Sequence, residues 1–136
     1  MIEKYYKYKI EYKDFVLLIK CGNFYEVIGN DALIIKNIFG YKLKQISSNF
    51  KCGFPLSGIK KVITHLQASS INYVIIEDKV IDACDYKEKN NYSVYEFDSN
   101  KIILNYIRID RITTFLNDNV TSNNIENILN EMEKLI

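Results

Sequence analysis

The sequence has little of the chemistry on which enzymes and metal sites depend. Its 136 residues include one histidine and three cysteines. The histidine, His65, has no nucleophile or acid at a recognisable spacing, which argues against nucleophilic catalysis. The cysteines are odd in number and lack zinc or redox spacings, so we expect free thiols in a reducing compartment and no metal site.

Long apolar runs are also missing. No run reaches the roughly 18 to 20 residues that a membrane span needs, and the first residues alternate charge with tyrosine, unlike a signal peptide. We therefore predict a cytoplasmic protein that does not bind a membrane. With 48% hydrophobic and 26% charged residues, the composition is that of a folded protein, and we expect residues 1–136 to form a single domain.

Acidic residues are absent from one long segment. Residues 32–76 carry six lysines and no carboxylate, whereas the net charge of the whole chain is only +1. A segment of one sign is typical of a surface that binds a polyanion. Lysines that are simply solvated are an equal alternative on charge alone. The six are Lys36, Lys42, Lys44, Lys51, Lys60 and Lys61.

Apolar periodicity in the first 40 residues predicts a strand, an extended connection and a helix. Residues 15–20 form a short apolar run, typical of a buried central strand. If the chain stays extended after it, Phe24 and Glu26 lie on the same face. Asn30 is a candidate N-cap for a helix that ends at Gly40. This places the Phe-Tyr-Glu stretch between a strand and a helix.

The remaining pattern favours a mixed α/β fold. We predict strands at 41–46 and 72–78 and a helix from near Ser57. An exposed loop follows, and then strands around Val94 and at 103–109. A C-terminal amphipathic helix begins at Asn123, with a capping box completed by Glu126. The expected architecture is a mixed β-sheet flanked by helices in one compact domain. The apolar stripe of the last helix is Ile125, Ile128, Leu129, Met132 and Leu135.

One stretch comes close to a nucleotide-binding loop. Residues 53–60, "GFPLSGIK", have two glycines at phosphate-loop spacing, but Ile59 and Lys60 stand where the loop needs lysine and then serine or threonine. This excludes the usual phosphate contacts. We therefore expect a binding protein that is not an enzyme and has no cofactor.

Several short motifs recur in an order that is specific when taken together. Tyr5 and Lys9 precede the apolar run, "GNFYE" follows it at 22–26, and "DA" stands at 31–32. "GFP" at 53–55 and "YVIIED" at 73–78 complete the series. This pattern resembles the N-terminal mismatch-binding domain, domain I, of the MutS family of DNA mismatch-repair proteins. The resemblance covers residues 5–78 and implies that the opening segment is a helix; residues 79–136 carry no family motif.

The resemblance also implies a DNA-binding site. In the family, the phenylalanine of Phe-x-Glu enters the minor groove and stacks on a mispaired or unpaired base, while the glutamate shares a hydrogen bond with that base. These roles fall on Phe24 and Glu26, and the partner is double-stranded DNA with a mismatch or bulge. The six lysines are candidate phosphate contacts from their charge. The plain alternative is that Phe24 is a core residue and Glu26 a solvated neighbour.

The resemblance leaves a second function open. At 136 residues there is no room for the connector, lever, clamp and ATPase domains of full-length members, so we expect a mismatch reader without the ATPase. The same fold is also suited to docking on a MutS-like or other DNA-processing protein through the helix from Asn123. This alternative requires that Met132 and Leu135 be exposed in the folded chain. The sequence carries no signal for a particular oligomeric state.

Overall fold

The computed structural model describes residues 1–46 and 48–136 of the chain. Over these residues it divides into two compact units, Met1–Ile102 and Ile103–Ile136. The first unit holds a mixed β-sheet with helices on both faces, and the second is helical. The predicted α/β fold class is confirmed.

The sheet is built around two short apolar strands. Its order is β3-β4-β2-β1-β5-β6, where β1 and β5 run parallel and the other neighbours run antiparallel. All four residues of β5 and the first four of β1 are buried, since helices cover both faces there. The strands are β1 (Val16–Cys21), β2 (Phe24–Ile28), β3 (Lys44–Ile46), β4 (Asn49–Pro55), β5 (Tyr73–Ile76) and β6 (Val80–Cys84).

Helices pack on the two faces of the sheet. One face meets α2 and α3, and the core between them includes Val27, Phe54, Val62 and Leu66. The opposite face carries a smaller cluster in which Tyr5 of α1 packs with the alternate strand residues. The helices are α1 (Ile2–Glu11), α2 (Gly29–Phe39), α3 (Ile59–Ala68), α4 (Tyr92–Asp118) and α5 (Ile125–Glu133), with 3-10 turns at Leu56–Gly58 and Lys87–Lys89.

Most expectations for the first half of the chain are confirmed. The strands predicted at 15–20 and 72–78 are present as β1 and β5, and the opening segment is helical. The second helix ends at Gly40, whose φ of 74° is left-handed, as a glycine C-cap requires. The third predicted helix is also present, as α3, with Val62 and Leu66 fully buried.

The two predicted N-caps are wrong. α2 begins at Gly29 after Ile28, and the Asn30 side chain donates a hydrogen bond to Glu96 Oε2 at 3.1 Å, so it does not cap the helix. In the last helix the capping residue is Asn124, which makes no side-chain cap bond. Because this helix begins at Ile125, Glu126 is its second residue, whereas a capping box needs the acid at the third position.

The strands predicted around Val94 and at 103–109 are also wrong, because both stretches belong to the 27-residue α4. Isoleucine and tyrosine favour strands, but residues 92–118 contain no glycine or proline to interrupt a helix. Two strands of the structure, β4 and β6, were not predicted. Gly53 and Pro55 made β4 resemble a loop, although Pro55 lies at its end, where no ladder bond is lost.

The three cysteines are free thiols, as expected. Burial raises the pKa of Cys52 to about 12, so this thiol stays protonated at neutral pH. Within residues 1–46 and 48–136, no helix combines the length and the apolar content needed to cross a membrane. The same described ranges contain no group of three or more histidine, cysteine, aspartate or glutamate side chains placed to hold a metal ion.

Candidate nucleic-acid interface

A groove of about 240 Å³ lies at the side of the sheet formed by β2, β4 and β3. Phe24 and Glu26 project on the same face of β2 as Ile28, because alternate strand residues share a face. Ile28 lies in the cluster beneath α1, whereas Phe24 and Glu26 lie outside that cluster. The groove is lined by Phe24, Glu26, Lys42, Lys44, Lys51, Cys52 and Gly53.

Phe24 is a projecting ring on a firmly held backbone. Half of the residue is exposed, whereas the neighbouring Tyr25 is 6% exposed and belongs to the core. Phe24 is paired with Cys21 on one side and with Pro55 on the other, so its strand is flanked on both sides. The alternation predicted for this stretch is therefore present, and the ring is available to a partner.

The turn before Phe24 explains why the ring is placed at the end of a strand. Gly22 and Asn23 form a two-residue connection between β1 and β2, and Gly22 has a φ of 61°. A positive φ at the first central position is a requirement of the type II′ hairpin turn, and glycine meets it at no steric cost. The carbonyl of Asn23 also accepts a hydrogen bond from the backbone of Leu56 at 3.2 Å. The turn is thus tied to the end of β4.

Glu26 is half of an ion pair within the groove. Its Oε1 lies 2.7 Å from Nζ of Lys51, and the side chains are 15% and 31% exposed, respectively. Directly across the ladder from Glu26 stands Gly53. A Cβ at Gly53 would lie 3.2 Å from the carbonyl oxygen of Tyr25, so glycine fits this close approach. The groove thus has an acid and a base in contact beside an aromatic ring.

The structure separates the six predicted lysines into two sets. Lys42, Lys44 and Lys51 line the groove with Phe24. The other three lie on helices that cover the opposite face of the sheet. Their contribution to DNA binding stays a prediction. These three are Lys36 on α2 and Lys60 and Lys61 on α3.

The other motif residues meet away from the groove, in a buried polar network. The carboxylate of Asp31 is fully buried and lies 2.9 Å from Nζ of Lys9. It also accepts hydrogen bonds from the hydroxyls of Tyr92, at 2.5 Å, and Tyr5, at 3.3 Å. The backbone N–H of Leu17 donates a further bond at 3.1 Å. Tyr5, Lys9 and Asp31 therefore join α1, β1 and α2, a structural role that the motif spacing did not reveal.

Burial dominates the electrostatics of this network. It raises the pKa of Asp31 above its ordinary value, while the charge of Lys9 and the hydrogen bonds from Tyr92 and Leu17 act in the opposite direction. Burial beside the same carboxylate raises the pKa of Tyr5 and of Tyr92. Both hydroxyls therefore remain protonated donors. Tyr92 was not singled out in the sequence, because it lies 61 residues from Asp31 and outside any motif.

Comparison with known protein families shows to which family this chain belongs. The family model described as MutS domain I matches residues 1–102. The chain belongs to the MutS domain I family. The match includes the groove residues Phe24, Glu26 and Lys51 and ends where the first structural unit ends, at Ile102.

The chain is similar to a short part of several curated proteins called DNA mismatch repair protein MutS. It is 32% identical over 77 residues to the protein of Petrotoga mobilis, which is 57% of this chain and 9% of the relative. It is 28% identical over 97 residues to the protein of Rickettsia akari, which is 68% of this chain and 11% of the relative. It is 27% identical over 123 residues to the protein of Borreliella burgdorferi strain ZS7, which is 90% of this chain and 13% of the relative. The chain thus spans only about a tenth of the length of these MutS relatives.

Proposed function

We propose that this MutS-type domain binds double-stranded DNA that contains a mismatch or an unpaired base, and that it does so without catalysis or an ATPase of its own, in the cytoplasm. Phe24 is the minor-groove wedge and Glu26 the base-contacting acid. The observation that supports this most is the half-exposed ring of Phe24, which stands in one groove with Glu26 and three lysines.

The physical basis of the proposal is the cost of opening a base stack. An apolar wedge has to unstack a base step, at a cost of a few kcal/mol, and the cost is lowest where pairing is already defective. Stacking of one base on an aromatic side chain returns about 1–3 kcal/mol. Insertion of Phe24 is therefore net favourable at a defect and unfavourable in intact duplex.

Lysines at the groove supply the part of binding that does not depend on sequence. Lys42 and Lys44 are exposed and close to Phe24, so we assign them to phosphate contacts. A few such contacts give dissociation constants of about 1 to 100 μM for non-specific DNA, and these weaken with added salt. Affinity for intact duplex should therefore be modest and strongly salt-dependent.

Titration of labelled duplexes tests the proposal. Fluorescence anisotropy should show about 5- to 150-fold tighter binding to a duplex with one unpaired base than to the same duplex fully paired, from the stacking of one base on Phe24. Added salt should weaken binding to both duplexes in parallel, because the phosphate contacts are the same. Equal affinity for the two duplexes at every salt concentration would contradict the proposal.

The C-terminal unit favours a second candidate function. On α5, Met132 is 37% exposed and the following Leu135 is 88% exposed, so the apolar stripe predicted for this helix is largely open. The C-terminal half of α4 adds further exposed apolar residues. We infer docking of this unit on a full-length MutS protein as the second candidate. The additional residues are Leu104, Tyr106, Ile109, Ile112 and Phe115.

Sedimentation of the chain mixed with a purified full-length MutS relative tests this second candidate. We expect a complex that is lost when Leu129 and Leu135 are both replaced by glutamate, because charge on the apolar stripe opposes its burial. Lys134→Glu is the matched control, since this exposed residue directly after α5 changes the net charge by the same amount without changing the stripe. Failure to form a complex, or equal complex formation by the double variant, would exclude docking through α5.

A further inference from the structure

The strongest feature that the proposed function does not use is the ion pair on β2 and β4. We propose that Lys51 is a positioning residue that acts through Glu26: it holds the carboxylate in the groove and offsets its charge when DNA binds. This inference rests on the proposed function. It assigns to Lys51 a role different from that of the other lysines in the groove.

The geometry of the pair is set by the sheet. Lys51 stands opposite Ile28 on the β2–β4 ladder, and Glu26 stands opposite Gly53, so the paired side chains are diagonal neighbours on one face. Their 2.7 Å separation is that of a charge-assisted hydrogen bond. Both side chains are less than one-third exposed, which reduces screening by salt. The carboxylate is thus held in one place before DNA arrives.

The charge of Glu26 would otherwise oppose binding. A carboxylate brought into the minor groove is repelled by the phosphates of both strands, at a defect as well as in intact duplex. With Lys51 in contact, the pair carries no net charge and this repulsion is offset. An ionised carboxylate has about four acceptor positions. Glu26 can therefore accept a hydrogen bond from a base while it keeps its bond to Lys51.

The competing role for Lys51 is that of an ordinary phosphate contact. The two roles differ in whether the effect of Lys51 depends on Glu26. Lys44 provides a matched control, because it stands directly opposite Lys51 on β3, lines the same groove and is exposed. No ion pair of Lys44 is found among residues 1–46 and 48–136. Its effect should therefore be independent of Glu26.

A double-mutant cycle measured with the bulged duplex tests the inference. Lys51→Met should weaken binding about tenfold in the natural sequence and less than about twofold when Glu26→Gln is already present, because contacting charges are coupled. Lys51→Arg should bind within about twofold of the natural chain, since it restores the charge beside Glu26. Lys44→Met should weaken binding by the same factor in both backgrounds and lower the salt slope by about one.

The outcomes separate this inference from the proposed function. If Lys51→Met has the same effect with Glu26 and with Gln at position 26, the lysine acts alone and the inference is overturned. If Lys51→Arg fails to restore binding, positioning by charge is overturned as well. If the natural chain does not prefer the bulged duplex, the proposed function fails, whatever the cycle shows. Thermal melts of each variant followed by circular dichroism establish that the fold is retained.

Discussion

Replacement of Lys9 by methionine is expected to destabilise the protein by about 3–5 kcal/mol, the usual cost of removing one partner from a buried ion pair. Lys9 Nζ lies 2.9 Å from the fully buried Asp31 carboxylate. The hydroxyls of Tyr5 and Tyr92 would still donate to that carboxylate, but no positive charge would offset it. A loss of this size is a large fraction of the 5–15 kcal/mol available to most domains. Urea denaturation at neutral pH measures it.

Two further variants show whether the effect comes from the buried charge. Lys13→Met changes an exposed lysine and should alter stability by less than about 0.5 kcal/mol. Adding Asp31→Asn to Lys9→Met removes the uncompensated carboxylate, so the double variant should be more stable than Lys9→Met alone. A double variant that is less stable by the sum of the two single effects would contradict the assignment.

Acidification should reduce the deficit of Lys9→Met. Because burial raises the pKa of Asp31 above 3.8, the folded protein binds this proton more tightly than the unfolded chain. The stability that Asp31 contributes is therefore greatest in acid, with the carboxyl protonated, and is lost as the pH rises through the folded pKa. The difference between Lys9→Met and the natural chain should be largest near neutral pH and shrink towards pH 4, as followed by urea titrations across this range.

Phe24→Ala is expected to remove most of the preference for defective DNA. Loss of one stacked base corresponds to about 1–3 kcal/mol, or about 5- to 150-fold weaker binding to a bulged duplex. Binding to intact duplex should change little, because it depends on phosphate contacts. The ring is half exposed, so its removal leaves the core intact. Anisotropy titrations with the two duplexes measure both effects.

Phe97→Ala is the matched control for this prediction. Phe97 is a phenylalanine of the same unit, is 71% exposed and does not line the groove. Its replacement should leave binding to both duplexes unchanged within about twofold. A Phe24→Ala protein that loses affinity equally for intact and bulged duplexes would show that the ring contributes general affinity and is not a probe of base pairing.

The sequence predicted the part of the fold in which short-range patterns and family motifs agree. The apolar runs of β1 and β5 lie between covered faces, so they contain little besides aliphatic residues and tyrosine. Alternation around Phe24 was equally clear, because Tyr25 and Val27 must enter the core. The same alternation predicted that Phe24 and Glu26 lie on one face of the strand.

Features that depend on distant residues were not predictable in this way. β4 is a strand because it pairs with β2 and β3, although its own sequence contains Gly53 and Pro55. The isoleucines of α4 have strand propensity, but the absence of helix breakers decides the outcome in this segment. The Glu26–Lys51 pair arises from the β2–β4 register. Charge counting could identify Lys51 only as one of six lysines.

The position of Phe24 has a mechanical consequence. Its strand is third from one edge of the sheet, between β4 and β1, and the turn beside it is tied to Leu56. The backbone hydrogen bonds of three strands therefore resist any displacement of the ring, and the protein deforms little at this point. When a rigid side chain is pressed into a more deformable DNA duplex, it is the duplex that bends. Under the proposed function, the bend should therefore form in the duplex and not in the protein, and its angle should follow the local stiffness of the bound sequence.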